Sequence, residues 1–104
     1  MRKYILNTPV LTNYGVYRFE KMSLEEARLF ARDAVSAVGH KGAAEALSKI
    51  LGIPVHVNRA EIIMESGDEA LIFRILRRLP EGAVLDSETT LRLPYELGRL
   101  IRIA

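Results

Sequence analysis

Gly39-His40 stands directly before a run of small residues, Lys41-Gly42-Ala43-Ala44, in a chain with only two histidines. Histidine exchanges protons near neutral pH, and small residues let a phosphate approach the backbone. If a helix starts there, its unpaired N–H groups and partial positive charge suit an anion. The chemistry this permits is general acid catalysis. A histidine beside a phosphodiester can deliver a proton to a departing oxygen, an effect worth about 10²–10⁴-fold. The plain alternative is a chain reversal with His40 as a polar cap, and position alone favours that alternative.

Three other groups can contribute to such a site. Arg59, in Asn58-Arg59-Ala60-Glu61-Ile62, alternates with Val57 and Ile63. On a strand it would share a largely apolar face, where a basic residue needs a partner or a ligand. Glu61 can be that partner. His56 falls on the other face, with Asn58 and Ala60, as an ordinary strand histidine. Arg78 and Glu81 sit where an apolar run gives way to Pro80-Glu81-Gly82, and loops at strand ends often carry function. Arg78 can clamp a phosphate and Glu81 can orient a hydroxyl or accept its proton. A solvated turn with a charge pair explains the same segment. Asn7-Thr8 and Thr12-Asn13 can read a nucleobase edge or a ribose, and they are also ordinary turn residues. Together these groups suit a phosphodiester ligand without specifying it.

The elements that must position them are legible in part. Lys3 to Leu6 reads as a short strand and Val16 to Phe19 as a second. Ser23-Leu24-Glu25-Glu26 is a capping box, followed by Leu24, Ala27, Phe30, Ala31 and Ala34 at helical spacing. Val35 to Val38 reads as a buried strand or extended link. A second helix is expected from Lys41 to Leu51, with a stripe of Ala43, Ala44, Leu47, Ile50 and Leu51 and with Gly52 closing it. Pro54 begins a predicted strand reaching Ile63. Glu65 to Glu69 is a turn, and Ala70 to Leu79 returns as a strand, so the two are expected to pair as an antiparallel hairpin. Asp86 or Ser87 starts a short third helix that stops before Pro94, and Tyr95 to Ile103 is the last strand. The expected fold is α/β: one domain over residues 1–104, with a mixed, partly antiparallel sheet packed against two to three helices.

Composition narrows the function classes. The 104 residues suit one compact core, and 49% are hydrophobic. No apolar run approaches the roughly 18–20 residues of a membrane span, and Met1-Arg2-Lys3 is followed by too short an apolar stretch for a signal peptide. A cytoplasmic location is expected, with no membrane partner. The absence of cysteine excludes disulfides and thiolate metal sites. No acidic cluster or HExxH points to a metal, so no metal and no cofactor are expected. The net charge is +2, and eleven of the fifteen basic residues are arginine. That balance is weak for duplex DNA and better suited to a small phosphate-bearing ligand.

The ordered set Ala37-Val38-Gly39-His40, an amphipathic helix ending in Gly52, Val57-Asn58-Arg59-Ala60-Glu61-Ile62 and the run from Gly67 to Leu85 resembles the ring nuclease family first catalogued in archaeal viruses. Viral members of that family act as anti-CRISPR proteins against type III systems, and cellular relatives occur beside type III CRISPR genes. The resemblance runs from about Tyr4 to the C-terminus. It implies a homodimer that cleaves cyclic tetra-adenylate without metal. The ribose 2′-hydroxyl would attack the adjacent phosphorus, giving linear di-adenylate with a 2′,3′-cyclic phosphate. By position, His40 falls on the family's acid, Arg59 and Arg78 on its phosphate-contacting arginines, Glu81 on its loop glutamate and Asn7 on an asparagine of the ligand pocket. Thr8, Gly39 and Lys41 would complete the binding surface. Lys41-Gly42-Ala43 replaces the Asp-Ser-Thr common in viral members. On residues alone, a non-catalytic module that binds a cyclic nucleotide, DNA or a protein remains the alternative.

Overall fold

The structure is a computed structural model that describes residues 2–7, 13–60, 62–75 and 95–104. Its elements are β1 (Lys3–Leu6), β2 (Tyr17–Met22), α1 (Leu24–Ala31), β3 (Val35–Ser36), α2 (Lys41–Leu51), β4 (Glu69–Ile75) and β5 (Tyr95–Arg102). The five strands form one mixed sheet in the order β2-β5-β4-β1-β3. β1 runs parallel to both β3 and β4. β5 lies antiparallel to β4 and β2. The expected α/β class and mixed sheet are present, with two helices among the described residues. The predicted third helix lies outside those residues, as does the predicted continuation of β4 beyond Ile75.

Local signals explain the helices. Ser23 is extended and its Oγ accepts the Glu26 N–H at 3.1 Å, while Glu25 and Glu26 in the first turn complement the helix dipole. α1 buries Ala27, Phe30 and Ala31. α2 buries Ala43, Ala44, Ala46, Leu47, Ile50 and Leu51 and ends at Gly52, whose φ of 71° is left-handed. That conformation costs an L side chain about 1–2 kcal/mol and costs glycine little. Beyond it, Ser48 Oγ accepts the Val55 N–H at 2.8 Å and turns the chain back along α2.

Both sheet faces are covered. On one, Ile5, Leu71, Phe73, Leu97 and Met22 pack against the helices and Val38. On the other, Tyr4, Ala70, Ile72 and Leu100 pack against Met64, with Ile62 at the margin. β4 is therefore apolar in succession from Ala70 to Phe73, all essentially buried, as a central strand should be. Each fully buried Leu, Ile or Phe contributes about 1.5–3 kcal/mol.

Two strand expectations are corrected. The described residues of the predicted strand, 54–60 and 62–63, do not form a strand or a hairpin with β4. Val57 makes one isolated parallel bridge to Val38, and β4 is flanked by β1 and β5. The reason is burial: Val57 and Ile63 are 45% and 60% exposed, whereas β1 and β5 bring buried Tyr4, Ile5, Leu97 and Leu100 beside β4. The second strand starts at Tyr17 and reaches Met22, because β5 pairs with it along six residues. β3 is only two residues long and leaves Val35 exposed, with burial beginning at Ala37 and Val38.

Candidate functional site

Three parallel strands end at one edge of the sheet. Tyr4 pairs with Val35, and Leu6 with Ile72, so β1, β3 and β4 all deliver their carboxyl ends to that edge. In α/β sheets this is where ligands bind. Asn7 follows β1 there and is half-buried. Beyond β3 the chain passes through Ala37, Val38 and Gly39 into α2. β4 reaches the edge at Ile75. Thr8, Arg78 and Glu81 lie outside the described residues, as does Glu61, the expected partner of Arg59.

His40 is the N-cap of α2, with extended backbone at φ −125° and ψ 126°. Its Nδ1 accepts the Gly42 N–H at 3.1 Å, and its carbonyl accepts the Ala44 N–H at 3.0 Å. Histidine here does the work usually given to Ser, Thr, Asp or Asn. A nitrogen that accepts carries no hydrogen, so the neutral ring holds its proton on Nε2. The side chain is exposed, so Nε2–H can donate a hydrogen bond outward. The two alternatives posed by the sequence thus belong to different protonation states: the neutral ring caps through Nδ1, whereas the imidazolium, with hydrogen on both nitrogens, can donate a proton but cannot accept the Gly42 N–H.

Arg59 joins His40 through the backbone before it. Its Nε donates to the Gly39 carbonyl at 3.0 Å. A Cβ on Gly39 would lie 3.4 Å from Arg59 Cγ, so the arginine stem rests against this glycine. Arg59 is exposed and its terminal guanidinium nitrogens have no acceptor among the described residues. This corrects the expectation of an arginine on an apolar strand face: Arg59 belongs to an extended segment beside the helix start. Lys41, the first residue of α2, is exposed, and the first turn of the helix carries no acidic residue. Two cations, an imidazole and a helix N-terminus therefore converge without a competing carboxylate in that turn, an arrangement that attracts phosphate.

Two residues that composition and motif did not single out hold this corner together. Ser36 Oγ donates to the His56 carbonyl at 2.6 Å. Asn58 Nδ2 donates to the Ser36 carbonyl at 2.7 Å, and the Asn58 backbone N–H to the Val38 carbonyl at 2.9 Å. The only sequence signal was their place: Ser36 directly precedes Ala37-Val38-Gly39-His40, and Asn58 lies inside the motif that carries Arg59. His56 is exposed and engages through its carbonyl, away from the helix start. Among the described residues no group of three or more His, Asp or Glu side chains is arranged to hold a metal ion, and no helix is long and apolar enough to cross a membrane.

Comparison with known proteins matches residues 3–97 to the STIV B116-like family. The uncharacterized protein ORF117 of Acidianus two-tailed virus is 40% identical over 89 residues, spanning 79% of this chain and 76% of that protein. The uncharacterized protein YddF of Bacillus subtilis (strain 168) is 30% identical over 102 residues, 94% of each chain. Among solved structures, B116 of Sulfolobus turreted icosahedral virus superposes with a TM-score of 0.72 at 24% identity, over 98% of this chain and all of that one. That likeness establishes the fold. The chain belongs to the STIV B116-like family.

Proposed function

We propose that this STIV B116-like protein is a metal-independent ring nuclease that cleaves cyclic tetra-adenylate and so switches off type III CRISPR effectors. The observation that carries the proposal is the pairing at the start of α2. An exposed His40 keeps Nε2 outside the cap bond, and the guanidinium of Arg59 is fastened one residue away on Gly39. The resemblance in sequence order supports it, as does the presence of archaeal virus proteins among the relatives.

The chemistry follows from the ligand's own groups. The ribose 2′-oxygen forms a bond to the adjacent phosphorus as the bond from phosphorus to the 5′-oxygen breaks. His40, as the imidazolium, gives its Nε2 proton to that 5′-oxygen and is left as the neutral ring, whose Nδ1 then accepts the Gly42 N–H. Glu81 accepts or positions the 2′-hydroxyl proton. Charge that grows on the phosphoryl oxygens meets Arg59, Arg78 and the helix N-terminus, which is transition-state stabilisation by fixed donors. The nucleophile belongs to the RNA, so no serine or cysteine is required. Asn7, Thr8 and Lys41 contact the ring. A homodimer in the cytoplasm, or the host cytoplasm for a viral copy, would bring two His40 side chains to opposite phosphodiesters of the two-fold ring. Two cuts then release two linear di-adenylates, each with a 2′,3′-cyclic phosphate.

The test is incubation of the purified protein with cyclic tetra-adenylate in EDTA. Linear di-adenylate with a cyclic phosphate is expected, and a ring lacking the 2′-hydroxyl at the scissile positions should stay intact. Binding without any linear product would leave a non-catalytic cyclic-nucleotide binding module instead. Cleavage of the 2′-deoxy ring would refute attack by the ribose.

A further inference from the structure

We infer that Asn58, with Ser36, is a positioning residue that sets where Arg59 meets the His40 backbone; this deepens the ring-nuclease reading and rests on it only for its activity readout. Residues 54–60 contain no strand, and of their side chains only Val55 is buried. Packing therefore does little to place Arg59. Its position depends on polar contacts between two extended segments. Ser36 Oγ donates to His56 O, Asn58 Nδ2 to Ser36 O, Asn58 N to Val38 O and Arg59 Nε to Gly39 O.

These contacts are not equivalent. The backbone bond from Asn58 to Val38 would form in any parallel pairing of the two segments. A slip of one residue would preserve that type of bond while turning Arg59 to the opposite face. The Asn58 side chain prevents the slip, because its Nδ2–H finds the Ser36 carbonyl only in the present register. Ser36 Oγ also accepts the Val38 N–H at 3.3 Å, tying the acceptor strand to the same lock. The side chain next after Asn58 is then the one delivered to Gly39. Acting through another residue, Asn58 need not touch a ligand.

The experiment uses Asn58→Asp, which keeps the shape and removes the Nδ2–H donor, with Ser36→Ala as a second probe. NMR of the full chain reads hydrogen exchange at Arg59 Nε–H. Protection is expected in the wild type and should fall at least tenfold in Asn58→Asp, while amides of α2 near Leu47 keep theirs. Unchanged Arg59 protection in both variants would overturn the inference. With cyclic tetra-adenylate, Asn58→Asp is expected to lower single-turnover cleavage by about 10–100-fold, the scale of a misplacement near 1 Å. In an Arg59→Ala background it should add nothing, because it acts through that side chain. Effects that multiply in the double variant would also overturn it. If the wild type does not cleave the ring, the functional proposal fails, and the exchange measurement still decides the role of Asn58.

Discussion

His40 Nδ1 accepts the Gly42 N–H at 3.1 Å, which commits one ring nitrogen to the helix and leaves Nε2 outside the cap. The two roles separate by substitution. His40→Ala should lose both: about 1 kcal/mol of stability, or about 4–8 °C in the melting midpoint, and at least about 10²-fold in turnover. His40→Asn should restore the cap, because asparagine is a strong N-cap residue, and should leave turnover as low as in His40→Ala. Melting curves and single-turnover rates on the three proteins check this. Turnover that recovers with the cap would make His40 structural only.

Asp68 gives a pH prediction. Its carboxylate is buried, which opposes ionisation. Hydrogen bonds from the Glu65 and Arg2 N–H groups, at 2.9 and 2.8 Å, outweigh that and hold its pKa below the ordinary carboxylate value. A pKa lower in the folded than in the unfolded chain stabilises the fold above the unfolded value and ceases to do so as pH falls through the folded one. Asp68→Ala should therefore cost about 1–3 kcal/mol near neutral pH. In urea unfolding, the gap to wild type should narrow below about pH 4. A gap that stays constant into acid would refute the assignment.

Gly98 and Phe19 form a cross-strand contact on β5 and β2. A Cβ at Gly98 would lie 2.4 Å from Phe19 Cε1, so the half-exposed ring covers the glycine and must move aside for any side chain. Gly98→Ala should destabilise by roughly 1–3 kcal/mol. In a Phe19→Ala background most of that cost should vanish, as expected for residues in contact. Additive costs in the double-mutant cycle would contradict the contact.

Leu47 is fully buried at the centre of the stripe on α2. Leu47→Ala should cost about 2–5 kcal/mol and lower the denaturant midpoint without changing the slope. A cost under 1 kcal/mol would mean the cluster does not hold α2 to the sheet.

α2 and its two ends were readable because every signal lies within a few residues. The stripe from Ala43 to Leu51 has helical period, Gly52 supplies the left-handed end, and Gly39-His40 precedes the small residues that open the first turn. The capping box at Ser23 and the short strand at Lys3–Leu6 are local in the same way. The strand predicted for residues 54–63 failed for the complementary reason. Alternating polarity shows that a segment can pair. It does not say with what, and it does not show that the apolar side is buried.

The sequence by itself therefore determined the two helices, their caps and the chemical types gathered around His40. Only the tertiary structure decided that β4 lies between β1 and β5, and that Arg59, nineteen residues beyond His40, comes to rest on Gly39. Helix caps and periodicity arise from bonds between near neighbours in the chain. Strand order and the meeting of Arg59 with Gly39 arise from contacts between distant segments, chosen by which apolar surfaces are buried together and by single hydrogen bonds such as that from Asn58 to Ser36.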